Sequence, residues 1–135
     1  MLTAKTLSLA DAKAVAAAAS AFSVAEGWTV VIAILDAGGH LLYLERADGT
    51  QLGSVTVAQE KAKTALLFKR PTKALEDLIV GGKVHIMTLP GATPIEGGLP
   101  LKSGDAIVGA IGISGMNSAQ DGEVAAAGAQ VLATL

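Results

Sequence analysis

Val30-Val31-Ile32-Ala33-Ile34-Leu35-Asp36-Ala37-Gly38-Gly39-His40-Leu41-Leu42-Tyr43-Leu44-Glu45 is the stretch from which the fold is read. Val30 to Leu35 is an unbroken apolar run rich in β-branched residues, which reads as a strand buried on both faces. Asp36 to Gly39 has turn chemistry, and Leu41 to Glu45 returns as a second strand. The two make a hairpin, and Asp48-Gly49 marks the loop that ends it.

Towards the N-terminus, Ser8 and Asp11 have the spacing of a helix cap with an acidic partner three residues on. The helix runs to Glu26 and Gly27 stops it, with Leu9, Ala12, Ala16 and Ala19 on one face. Beyond the hairpin, Ser54 is the expected cap of a helix that ends before Pro71, and Thr72 of a short one closing at Gly81-Gly82. A strand is expected near Val84 to Thr88, then a loop rich in Gly and Pro from Pro90 to Pro100. Ala106 to Ile113 reads as a further apolar strand interrupted by Gly109 and Gly112. Ser118 with Asp121 repeats the cap pattern. The last helix is expected to reach the chain end with Val124, Gly128, Val131 and Leu135 on one stripe. Hairpins and apolar strands with segregated helices indicate an α+β fold with a mainly antiparallel sheet, in a single domain over residues 1–135.

Composition bounds the function. Hydrophobic residues make up 51% and charged residues 16%, against about 25% charged in ordinary soluble domains. The surplus apolar surface points to a homo-oligomer; an alanine-rich monomer would also raise the apolar fraction. A net charge of −2 and four scattered aromatics (Phe22, Trp28, Tyr43, Phe68) argue against a nucleic-acid partner. The absence of cysteine removes thiol catalysis, disulfides and thiolate metal sites. No apolar run is long enough to span a membrane and no signal-peptide pattern is seen, so the expected location is cytoplasmic.

Complete catalytic motifs are missing: there is no Walker-type loop, no nucleophile elbow and no paired-histidine metal motif. Gly97 and Gly98, between Glu96 and Leu99, would expose backbone amides able to cradle a carboxylate or phosphate, or simply form a tight turn. Lys61, Thr64 and Phe68 share a helix face and would wall an anion-accepting pocket; the alternative is an exposed lysine beside a buried ring. Gly112 marks close approach by a ligand or by a packed helix. His40 and His85 are the only histidines, each a possible haem ligand or base, or an ordinary polar residue of a turn or strand. Met87 reads as core packing and Met116 as a loop residue. Asp36 reads as a turn former and Asp121 as a helix N-terminal charge.

Four stretches carry a resemblance. They are Ala33-Ile34-Leu35-Asp36-Ala37-Gly38-Gly39-His40-Leu41, Arg46-Ala47-Asp48-Gly49, Ala58 through Ala65, and Glu96-Gly97-Gly98-Leu99-Pro100-Leu101 with Val108 to Gly115 and Gln120-Asp121. In this order they resemble the haem-binding and haem-degrading domain family of the GlcG/HbpS-like type, over nearly the whole chain. The resemblance implies a five-stranded antiparallel sheet with packed helices, similar to a profilin-like sandwich, and oligomers from dimers to octamers. It also implies haem binding and iron-dependent haem degradation. Ala47 and Gly122 depart from the family, which often has Met and an acidic residue there.

These readings converge on an oligomeric haem- or small-ligand-binding protein. Its pocket would be built from Lys61, Thr64, Gly97, Gly98, Gly112 and Asp121, with His40 or His85 as the iron ligand. The alternative is an enzyme or accessory protein for a small carboxylate or hydroxy-acid, with Asp121 or His85 as base. A third is a regulatory subunit that uses its apolar surface for a partner.

Overall fold

The computed structural model describes residues 1–135. Helix α1 (Leu9–Glu26) starts at the expected capping box: Ser8 Oγ accepts from the Asp11 amide at 3.1 Å, and Asp11 Oδ2 accepts from the Ser8 amide at 3.0 Å. Gly27 ends it in the left-handed conformation. Strands β1 (Val31–Asp36) and β2 (Leu41–Arg46) form the expected hairpin. Helices α2 (Ser54–Phe68) and α3 (Thr72–Val80) follow, then strands β3 (Gly98–Ser103) and β4 (Ala106–Ser114) and helix α4 (Ser118–Ala129).

The sheet has four strands in the order β2-β1-β4-β3, every neighbour antiparallel. The α+β class stands, but the sheet is one strand short of the five expected. The segment Val84–Thr88 is a 3-10 helix in which no residue is buried. Val84 and Ile86 have strand propensity, but the segment lies beside α3 and pairs with no strand. It closes i→i+3 bonds such as Ile86 N to Lys83 O instead.

Three helix caps also differ from expectation. Ser54 and Thr72 are the first helical residues, not caps, because their hydroxyls are used inward. Ser54 Oγ accepts from Ser114 Oγ and from Gln51 Nε2, and Thr72 Oγ1 accepts from the Gly98 amide at 2.9 Å. Asn117 displaces Ser118 as the α4 cap, forming a reciprocal pair with Gln120. Helix α4 stops at Ala129 and gives way to a 3-10 turn, so Leu135 is exposed and not part of its stripe. In α1, Leu9 is exposed, and Val15 joins Ala12, Ala16 and Ala19 in the core.

Strand β1 is buried on both faces, as its composition requires. Ile32 and Ile34 pack with Val15 and Ala19 of α1 and Val124 of α4. Val31 and Ala33 point the other way and pack with Ala58 of α2, and Leu35 with Ala62. Each fully buried isoleucine contributes roughly 1.5–3 kcal/mol. The two faces differ in depth. On the α2 side, Ala33, Gly112 and Gly98 lie in register across three strands. Against this row α2 sets Ala58, Ala62 and Ala65, all with 0% exposure. A Cβ on Gly112 would overlap Ala58 O, and one on Gly98 would overlap Lys61 O. Glycine at these two positions lets the helix backbone rest on the sheet.

Candidate functional site

Two groups of polar residues flank α2, one beneath it and one outside it. Beneath it, Lys61 and Asp121 form an ion pair (Nζ–Oδ2 3.1 Å) whose side chains are 3% and 2% exposed. Lys61 Nζ also donates to Ile113 O at 3.0 Å, and Asp121 Oδ1 accepts from the Met116 amide at 3.0 Å. Burial pushes the Asp121 carboxyl above its ordinary 3.8, opposed by the Met116 amide and the Lys61 ammonium. Gly97 lies over this pair with φ +133, where a Cβ would come within 2.9 Å of Lys61 Nζ. Thr64 is equally committed: its hydroxyl donates to Glu60 O, lies 3.1 Å from Gly91 O and accepts from the Thr93 amide. The Gly98 amide is given to Thr72.

Outside α2, where its C-terminal turns pass the β1–β2 turn, a cleft of about 530 Å³ opens to solvent. Ala37, Gly38, Gly39 and His40 line it from the turn; Lys63, Leu66, Leu67 and Lys69 from α2 and its cap; Ile107 from β4. Lys63, Leu66 and Leu67 are spaced three and four apart, so they share one helix face. The wall holds two ammonium groups, an imidazole and an apolar floor, and no carboxylate. Lys69 is the single non-glycine residue with left-handed backbone (φ 54). It costs roughly 1–2 kcal/mol relative to glycine, and it turns the chain out of α2 at the rim of the cleft.

The His40 ring is 81% exposed, and its Nδ1 stands 3.4 Å from Asp36 Oδ1. That contact leaves Nε2 as the unengaged ring nitrogen. The His40 amide holds the Asp36 carboxyl below its ordinary 3.8, with the Gly38 amide and the imidazole acting in the same direction against slight burial. No cluster of three or more His, Asp or Glu side chains is placed to hold a bare metal ion. A metallated macrocycle is a different matter, since the ring supplies four of its own ligands and needs a single axial donor from the protein.

The family model for the haem-degrading protein HbpS-like family matches residues 7–130. The chain belongs to the HbpS-like family. Protein GlcG of Escherichia coli strain K12 is 42% identical over 108 residues, 80% of this chain and 81% of that protein. A doubly substituted Streptomyces reticuli HbpS superposes with a TM-score of 0.89 at 31% identity, covering 98% of this chain and 90% of that one. A PduOC–haem complex superposes at 0.83 with 27% identity, covering 93% and 94% of the two chains.

Within this HbpS-like chain, the residues expected to form a pocket are gathered at one place. Lys61, Gly97, Gly98, Gly112 and Asp121 meet under α2, and Thr64 lies one turn further along. Yet they line none of the three clefts in the surface, because helix backbone and the ion pair fill the space between them. His40 is in a cleft. His85 is on the exposed 3-10 helix and lines none. The two methionines exchange places: Met87 is exposed, and Met116 packs against the core.

Lys63, Leu66, Leu67 and Lys69 were missed by sequence reasoning. One signal was available for the choice between lysines. Lys61 is three residues after Ala58 and four before Ala65, on the alanine stripe, and Lys63 is off it. Nothing local brings the Gly38-Gly39-His40 turn to α2. That contact, in which a Cβ on Gly39 would lie 3.5 Å from Leu66 Cδ2, is made by the sheet.

Proposed function

We propose that this protein binds haem in the cleft between the β1–β2 turn and the C-terminal turns of α2. His40 Nε2 would hold the iron, Lys63 and Lys69 would offset the propionate charges, and Leu66, Leu67 and Ile107 would receive the ring. The observation that carries this reading is the lining itself: one imidazole and two ammoniums over an apolar floor, with no acid. The volume lies within the few hundred to a thousand Å³ of ordinary ligand sites. A dianionic, flat, largely apolar molecule with one vacant metal position matches each of these features. Membership of the family and the likeness to a haem complex support it further. Under this reading the knot of Lys61, Asp121, Gly97, Gly98 and Gly112 does not touch the ligand; it fixes α2 against the sheet and so sets the wall of the cleft.

Beyond His40 and the two lysines, the cleft wall offers no side chain able to take part in acid–base or nucleophilic chemistry. The function proposed is therefore binding. Exposed Val24, Leu52, Val80, Val84 and Met87 support the further proposal of a homo-oligomer.

The test is a haemin titration followed in the Soret band, with His40→Ala and His85→Ala alongside. A saturable shift is expected in the wild type and in His85→Ala, weakened at least tenfold in His40→Ala. A shift indifferent to His40, or one lost with His85, would remove this assignment. Adding hydrogen peroxide to the loaded protein then reports whether the Soret band decays.

The small-acid reading has one observation of its own. A second cleft of about 170 Å³ joins Lys5, Thr6 and Ser103 to Leu7, Val108 and Leu132, with the Asp11 carboxylate also in its wall. It is too small for a macrocycle and suited to a short carboxylate. Thermal stabilisation by short hydroxy-acids, abolished by Lys5→Ala and indifferent to His40→Ala, is what that reading requires.

A further inference from the structure

Residues 80–91 form an arm that the rest of the chain leaves uncovered. None of them is buried, and only Ile86 and Leu89 are half-buried. Val80, Val84 and Met87 are 82%, 57% and 59% exposed. The arm is shaped by its own bonds. The Gly81, Gly82 and Lys83 amides donate to Asp77 O, Ile79 O and Leu78 O, and the Ile86 and Leu89 amides to Lys83 O and Ile86 O. The Thr88 hydroxyl donates to His85 O at 2.7 Å. An apolar surface held in one shape before it meets a partner loses little entropy on docking.

The arm's charge is one-sided: residues 80–91 contain Lys83 and His85 and no acid. On the opposite side of the molecule, an open apolar groove of about 340 Å³ runs between α1 and α4, lined by Phe22, Ala126, Ala127, Gln130 and Glu123. Glu123 is its one charged lining residue, and Glu26, one turn beyond Phe22 on α1, adds a second carboxylate on that helix face. Helix α4 carries no lysine or arginine. The other two clefts do not match the arm. The larger holds Lys63 and Lys69, and the smaller holds Lys5 and has half the groove's volume. Two arms packed on each other would gather Lys83 and His85 of both copies in one contact. Nor does the arm reach the groove of its own chain. Helices α1 and α4 cover one face of the sheet, and the arm leaves α3, which is anchored on the α2 face through Thr72 and Gly98.

We propose that the arm of one copy docks in the α1–α4 groove of a second copy, with Val84 and Met87 against Phe22 and the α4 alanines and Lys83 beside Glu123. The inference rests on the homo-oligomer proposed above and is independent of the haem reading. Arm and groove are different surfaces, so the contact is heterologous: each copy gives an arm and receives one. Each copy is thereby held at two places, and the assembly closes as a pair or a ring.

The experiment measures the mass of the full chain by light scattering and sedimentation at micromolar concentration. Met87→Asp breaks the arm and Ala126→Arg the groove. Both positions are exposed, so the urea midpoint is expected to stay at its wild-type value. Each variant alone is expected to associate at least about tenfold more weakly than wild type. Mixed together, the two are expected to form a one-to-one pair, because the intact arm of Ala126→Arg still finds the intact groove of Met87→Asp. Lys83→Glu and Glu123→Lys are each expected to weaken association and to restore it when combined in one chain, and wild-type association is expected to weaken as salt rises. A wild-type oligomer that neither Met87→Asp nor Ala126→Arg disturbs overturns the arm-to-groove contact and leaves the oligomer standing. Two dissociated variants that fail to pair when mixed overturn it in favour of a symmetric contact. A wild-type monomer removes the oligomer and this inference together; if that monomer sediments with anionic vesicles and Met87→Asp does not, the arm belongs to a lipid surface.

Discussion

Helix α2 carries lysines on both of its faces, and they meet opposite fates. Lys61, on the alanine stripe, is 2% exposed and spends its ammonium on Asp121 and Ile113 O. Lys63, two residues on, lines an open cleft and makes no ion pair. Each side has its own aspartate as well: Asp121 is sealed with Lys61, and Asp36 stands behind an exposed His40. The sealed group is the richer in motif residues, and its polar atoms are already partnered by protein. The open group is held by ordinary turn chemistry and leaves an imidazole nitrogen and two ammoniums for a ligand. A cluster of distinctive residues can therefore mark what packs a helix onto a sheet, and under the proposed reading the ligand goes where polar atoms are left over.

The largest expected break of this contrast is Lys61→Ala. It strands a buried carboxylate and should cost about 3–5 kcal/mol, read from urea unfolding. A Lys61→Met, Asp121→Leu double variant should recover most of that loss, because two apolar side chains need no partner. Haemin affinity per folded molecule is expected to be unchanged in both. Gly112→Ala comes next, since its Cβ meets helix backbone that cannot move independently. We expect a loss of about 1–3 kcal/mol from overpacking, again without a direct effect on the ligand.

Lys69→Gly reverses the pattern and so sharpens the comparison. Relief of the left-handed lysine should stabilise the fold by about 1 kcal/mol, while removal of a cleft ammonium weakens haemin binding severalfold. Lys63→Gln should weaken binding similarly with no change in the urea midpoint.

The smallest effect is in pH dependence, and the two aspartates have opposite signs. The Asp121 carboxyl is raised above 3.8, so the folded protein keeps a proton that the unfolded chain has lost. Its contribution to stability therefore falls as pH rises from 3.8 through the raised value. The Asp36 carboxyl is lowered, so its contribution is present above 3.8 and is lost as pH falls through the lowered value. Urea midpoints measured from about pH 2 to pH 7 should show the first slope vanish in Asp121→Asn and the second in Asp36→Asn.

Much of the fold was legible because its signals are local. The β-branched run of β1, the Ser8–Asp11 capping box and the Gly27 stop each follow from neighbours in the chain. Two segments were misread: Val84 to Thr88 has strand composition but forms a 3-10 helix, and the stretch expected to stay loop as far as Pro100 already enters β3 at Gly98, because glycine and proline carry the composition of a turn. Ser54, Thr72 and Ser118 were misread for a related reason. A hydroxyl at a helix start is a cap unless the tertiary structure offers it a better partner, as Gly98 does for Thr72.

By itself the amino-acid sequence determined the α+β class, the two-sided burial of β1, the family, and the residues that matter under α2. Tertiary structure decided which of them are accessible. Gly98 and Gly112 became cross-strand neighbours beneath a helix, and their amides and carbons were covered. Gly38, Gly39 and His40 were carried to Lys63, Leu66 and Lys69, about 25 residues away along the chain, a separation that helix and strand periodicities of 3.6 and 2 do not encode. The physical reason is that a side chain's chemistry is a property of the residue, whereas its availability to a ligand depends on what the rest of the chain packs against it.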